Sequence, residues 1–192
     1  KEVWKQLKQN LRLKRYLNAF FVFSMAVQTI MLMAVYFGEK EIDWASDSEK
    51  TTGLIVSILV IQLVAIAGAI LTSKASSKYG NIKTLIAVNF IWMFLCVYAY
   101  FIKTPIQFYV TAALVGLVMG GVQSLGRSTY SKFLPETEDT TSYFSFYDVA
   151  EGMLIFAIVS EYKSMRYAIF FLFVFFLAGI ILLFRVPKLS DE

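Results

Sequence analysis

Histidine is absent from this chain, cysteine occurs once, and proline three times in 192 residues. Without histidine the commonest general base and metal ligand is missing. The lone Cys96, between Leu95 and Val97, excludes a disulfide framework and a cysteine-based metal site within one chain, and reads as a small apolar packing residue. No HExxH, GxSxG, P-loop or Cys/His ligand cluster occurs, so neither an enzyme nor a metal or cofactor site is expected. Heptads, long repeats and low-complexity tracts are missing as well. Charge is also scarce, at 17% of residues, and its distribution is the most telling absence.

Five stretches carry no charged residue at all: Tyr16–Phe37, Thr51–Ser73, Thr84–Ile102, Thr104–Gly126 and Tyr167–Phe184. The shortest that still stands out, Tyr167–Phe184, spans about 27 Å at ~1.5 Å rise per residue, close to the ~30 Å hydrocarbon core. A sixth stretch, Thr140–Ser160, is apolar overall but holds Asp148 and Glu151. What is abundant agrees: 58% hydrophobic residues, 18 Phe and a mean hydropathy of +0.62. A soluble domain would be nearer about 45–50% apolar, with charges punctuating its helices. Backbone groups in lipid must close their hydrogen bonds internally, so these runs are expected to be helices. The sequence therefore predicts an all-α, polytopic membrane protein with lipid as a partner.

The remaining charges suggest an orientation. Alternating the loops puts Lys1, Lys5, Lys8, Arg12, Lys14, Arg15, Lys74, Lys78, Lys83, Arg127, Lys132, Arg185 and Lys188 on one side, against Lys40, Lys50, Lys103, Lys163 and Arg166 on the other. Short basic loops stay cytoplasmic, which predicts that both termini are inside. The loop 38–50 fits the outer face, with five acids against two lysines. The formal charge of +4 thus reads as topology and anionic-lipid contact, with no nucleic-acid partner. Residues 1–15 form a basic amphipathic segment, either lying at the interface or a solvated linker; 16–186 form the six-span domain and 187–192 a cytoplasmic tail. The chain opens with Lys1 and has no signal peptide, so a piece of a longer protein is expected.

Within the spans, polar residues are the informative ones. Gly116 and Gly120 are spaced i, i+4, with Gly121 beside them, a pattern that lets helix backbones approach closely in lipid. Gly126 is expected to soften this helix just before Arg127. Gln28, Thr29, Gln62, Asn89, Gln123 and Ser124 lie inside spans, where an amide or hydroxyl needs a partner or water. They line a solute path or hydrogen-bond between helices. Asp148 and Glu151 share a helix face and are candidates for proton or substrate coupling, the alternative being an ion pair with Arg127 or Lys132. Clean apolar sequence after Glu151 runs only from Met153 to Val159, so this span reads as broken, re-entrant or incomplete.

These residues also carry a resemblance. Gly120-Gly-Val-Gln-Ser-Leu-Gly-Arg-Ser128 resembles the GGxQALSRS signature of the autophagy-related vacuolar amino-acid effluxer family, a branch of the major facilitator superfamily with many bacterial members. Val27-Gln28-Thr29 is similar to its VQT, Leu134-Pro135 with Tyr143-Phe-Ser-Phe-Tyr-Asp148-Val to its LxP…FFGFYDV, and Phe184-Arg-Val-Pro-Lys188 to its closing LLRVP. The loop from Ser73 to Lys83 sits where the superfamily carries GxLxDRxGRR, which implies gate roles for Lys78, Gly80 and Lys83, with Arg127 alongside. Ser77 stands at the place of the motif's Asp, and Ser73 at that of its first Gly. The resemblance implies the C-terminal six-helix half of a twelve-helix transporter, working with an N-terminal half by alternating access on a small, amino-acid-like solute. It implies a bacterial cell membrane location. A different class of function, a six-span scaffold or assembly module that transports nothing, is the alternative.

Overall fold

The computed structural model describes residues 11–133 and 165–187. Among them are five helices: α1 (Leu11–Glu41), α2 (Asp47–Tyr79), α3 (Asn81–Ala99), α4 (Pro105–Phe133) and α5 (Met165–Phe184). All five are long and apolar enough to cross a bilayer. The chain is therefore an all-helical, multi-span membrane protein. The expected span Thr140–Ser160 lies outside the described residues, as do Asp148 and Glu151.

Local chemistry sets the helix ends. At α2, the Ser46 hydroxyl accepts from the Glu49 N–H (3.2 Å) and the Glu49 carboxylate accepts from the Ala45 N–H (2.8 Å). The same reciprocal cap opens α4: Gln107 Oε1 accepts from the Thr104 N–H at 3.2 Å, and Pro105 takes the first helical position, where its missing N–H costs nothing. A single residue, Gly80, joins α2 to α3. Its φ of 87° and ψ of 153° lie where a side chain would be strained, so the tight turn depends on glycine.

Two packing arrangements meet in the bundle. α1 and α3 both pack on α5 through large side chains, while α2 lies against α4 and is the least buried helix. Trp92 stacks on Phe176 with ring centroids 5.5 Å apart and planes 2° from parallel, and Phe20 meets Phe23 edge-on at 5.3 Å. α3 also touches α4, which ties the two arrangements together.

The helices differ from expectation at their ends. Residues 11–15, assigned to the basic segment, are helical and continuous with the rest of α1, and Leu13 and Tyr16 are fully buried in the bundle. α2 runs to Tyr79, so Lys74 and Lys78 stand on helix and not in a loop. α4 runs unbroken through Gly126 to Phe133, which corrects the expected softening there. The reason is tertiary: the Tyr16 hydroxyl donates to the Gly126 carbonyl at 2.7 Å, and Thr129 and Tyr130 are fully buried one turn on.

Candidate functional site

The seam between α2 and α4 is built from small residues. A Cβ placed on Gly116 would stand 2.5 Å from the Ile61 carbonyl oxygen; one on Gly120 would overlap the Ala65 carbonyl, and one on Gly121 the Thr72 hydroxyl. Gly68 returns the favour from α2, facing the Leu117 carbonyl. At that separation the two backbones touch directly, with no side chain between them. Thr72 keeps its hydroxyl satisfied within α2 by donating to the Gly68 carbonyl at 2.6 Å.

This seam decides where the amides go. Gln62 follows Ile61 and is exposed; it lines a cleft of about 270 Å³ between α1, α2 and α4, walled by Met31, Ala34, Ile58 and Met119. Gln123 and Ser124 are exposed on α4, with the Ser124 hydroxyl donating to the Gly121 carbonyl at 3.2 Å. Gln28 is half-buried on α1. Thr29 and Asn89 are different: both are buried and bond within their own helices, Thr29 to the Met25 carbonyl at 2.7 Å and Asn89 Nδ2 to the Leu85 carbonyl at 2.8 Å. Asn89 Oδ1 and, three residues on, Trp92 Nε1 are buried without a hydrogen-bond partner. The structure thus splits the six polar residues into an exposed set on α2 and α4 and an enclosed pair, with Gln28 between.

At the membrane face that holds the starts of α1 and α3 and the ends of α2, α4 and α5, Asn81 is the organising residue. It is buried at the first position of α3; its Nδ2 donates to Thr129 Oγ1 at 2.9 Å, and its Oδ1 accepts from Lys132 Nζ at 3.2 Å. Lys78 and Lys83 are exposed around it, and Arg127 is exposed on α4. The sequence reading missed Asn81 and Thr129; the signal available was a carboxamide directly after the Gly80 turn.

The opposite face is clamped by Arg166, in the first turn of α5. Its Nε donates to the Glu41 carboxylate at 2.6 Å, and its other nitrogens to the Glu41 carbonyl (2.7 Å) and the Tyr100 carbonyl (2.8 Å). One side chain so ties together the ends of α1, α3 and α5. It too was unread in the sequence, although a lone arginine opening an apolar helix was the clue. Among the described residues no group of His, Cys, Asp and Glu is placed to hold a metal ion.

The family described as "Vacuole effluxer Atg22 like" matches residues 1–190. The chain is 31% identical to "Uncharacterized MFS-type transporter YxiO" of Bacillus subtilis (strain 168), over 97% of this chain and 44% of that protein. It is 23% identical to "Autophagy-related protein 22" of Eremothecium gossypii, over 86% of this chain and 35% of that protein. The protein of the same name in Vanderwaltozyma polyspora is 25% identical over 86% and 34%. The chain spans less than half the length of these relatives.

Proposed function

The chain belongs to the vacuole effluxer Atg22-like family, and from that premise we propose that it is part of a secondary transporter moving a small, amino-acid-like solute by alternating access. The observation that carries this reading is the placement of Gln62, Gln123 and Ser124. Gln62 lines an open cleft and is the one polar side chain among the exposed residues of α2 from Ile55 to Leu71, while Gln123 and Ser124 are exposed on α4 one turn before Arg127. A hydrogen-bonding group facing hydrocarbon is costly, so such groups suit a surface that meets water, solute or a second domain. Binding between two structural halves is how this class of carrier works. In this reading a preceding set of helices covers the α2–α4 face, and the solute passes between.

The other parts of the proposal follow the sequence. Both termini lie in the cytoplasm, supported by the uneven Lys/Arg distribution, and the membrane is a bacterial cell membrane. Lys78, Gly80, Lys83 and Arg127 belong to the cytoplasmic gate. Gln28 joins the path from its half-buried position. Asp148 and Glu151, outside the described residues, are the coupling acids. Thr29 and Asn89, turned into the bundle, serve packing and not the path.

The test is uptake of labelled amino acids by proteoliposomes of the full-length protein. Gln62→Leu and Gln123→Leu should each lower uptake at least roughly tenfold, about one lost hydrogen bond to solute in the transition state. Both should keep wild-type folding, since neither side chain is buried. Thr29→Val should transport normally. Normal uptake by both glutamine variants would remove these amides from the path, and no uptake of any solute by the wild type would favour the scaffold.

A further inference from the structure

The ends of all five described helices enclose a second cavity, of about 650 Å³, at the face organised by Asn81. Its described lining contains four cations, Arg12, Lys78, Lys83 and Lys132, and no Asp or Glu. Each lysine side chain offers three donors and accepts nothing. Lys132 spends one of them on Asn81 Oδ1, which anchors it at the cavity wall. Arg12 lies over the Phe133 ring at 4.3 Å, and Lys78 near the Tyr79 ring at 5.2 Å. Lys78 and Lys83 make no ion pair with a described residue. The three lysines, none of them paired with a described acid, converge on one space and repel unless something negative enters it.

The remaining wall is apolar. Ile86 on α3 and Phe184 on α5 line the same cavity, and Phe184 is 67% exposed at the flank of the bundle. One compartment therefore offers cationic donors at the level of the helix ends and a greasy surface leading toward the bilayer. A free inorganic anion would use only the first of these features. A phospholipid would use both, with its phosphate among the lysines and a chain along Ile86 and Phe184.

We propose that this cavity is a binding site for an anionic phospholipid, whose headgroup phosphate is held by Lys78, Lys83 and Lys132. The site is separate from the α2–α4 cleft and independent of which solute is carried. A lipid bound there bridges α2, α3, α4 and α5 at one membrane face and neutralises the lysine cluster. The Gly80 turn, between Lys78 and Lys83, is held by the same contact.

Native mass spectrometry of the purified full-length protein tests this, with dioleoyl-phosphatidylglycerol, dioleoyl-phosphatidylcholine and inorganic phosphate as probes. Wild type should retain phosphatidylglycerol in preference to phosphatidylcholine, and excess inorganic phosphate should not displace it. K78Q/K83Q should bind phosphatidylglycerol roughly tenfold more weakly or worse, the effect of two cations lost near a phosphate. K78R/K83R should keep the preference, and K40Q/K103Q, which removes two exposed charges from the opposite face, should leave it unchanged. The proposal falls if wild type holds both lipids equally, a measurement that needs no variant. It falls also if K40Q/K103Q weakens binding as much as K78Q/K83Q, or if inorganic phosphate strips the lipid, which would make the occupant a free anion.

Discussion

The α2–α4 seam and the α1–α3–α5 core solve one problem in opposite ways. Helices in lipid gain little from hiding apolar surface, because lipid tails are as apolar as leucine; contact must come from fit. In the seam, Gly68, Gly116 and Gly120 remove side chains until backbones touch carbonyl to Cα. In the core, Trp92, Phe176, Phe20 and Phe23 fill the space between helices with rings. Even there one small residue is needed: a Cβ on Gly179 would stand 2.9 Å from Phe23 Cβ. The difference teaches where a change can be absorbed. Rings can shift among rotamers, but a backbone carbonyl has nowhere to go.

The sharpest way to break this contrast is Gly120→Leu, whose side chain would be driven into the Ala65 carbonyl of α2. Parting the helices to admit it forfeits the whole seam, so little folded protein is expected by gel filtration and thermal unfolding. A folded, wild-type-like variant would show that the seam is not under the tight constraint described. Next comes Trp92→Ala in the core, which empties a buried ring site beside Phe176 and should cost about 3–5 kcal/mol. Here the protein should remain assembled with a lowered melting temperature; complete loss of folding would erase the distinction between the two regions. The smallest structural effect belongs to the clamp between α1, α3 and α5. Arg166→Gln removes the ion pair with Glu41 and the guanidinium's bonds to two carbonyls, and should cost about 1.5–3 kcal/mol in unfolding experiments. An unchanged stability would mean that ring packing alone holds the core's outer end.

Much of this architecture can be read from residues in order. The charge-free runs locate five helices, and the i, i+4 pair Gly116 and Gly120 marks a contact surface. Those features depend on neighbours within a turn of helix. Contacts between residues far apart in the chain escaped: Tyr16 with Gly126, Asn81 with Thr129 and Lys132, and Arg166 with Glu41 are separated by 48 to 125 positions. The run of α4 past Gly126 was hidden for the same cause, since a glycine followed by arginine looks like an ending until the Tyr16 hydroxyl is seen on its carbonyl.

What the sequence determined by itself is that this chain crosses a membrane as helices, because the demand of backbone groups for partners in lipid is local and leaves one answer for an uncharged run. What only the tertiary structure decided is which polar side chains are enclosed and which are open. Gln62 and Asn89 are indistinguishable as amides within apolar spans, yet Gln62 lines a cleft and Asn89 is sealed against its own helix. Position along a helix sets a side chain's direction, but its surroundings depend on how closely the next helix can come. In this fold that distance is set by the glycines of α4 on one side and the rings of α5 on the other.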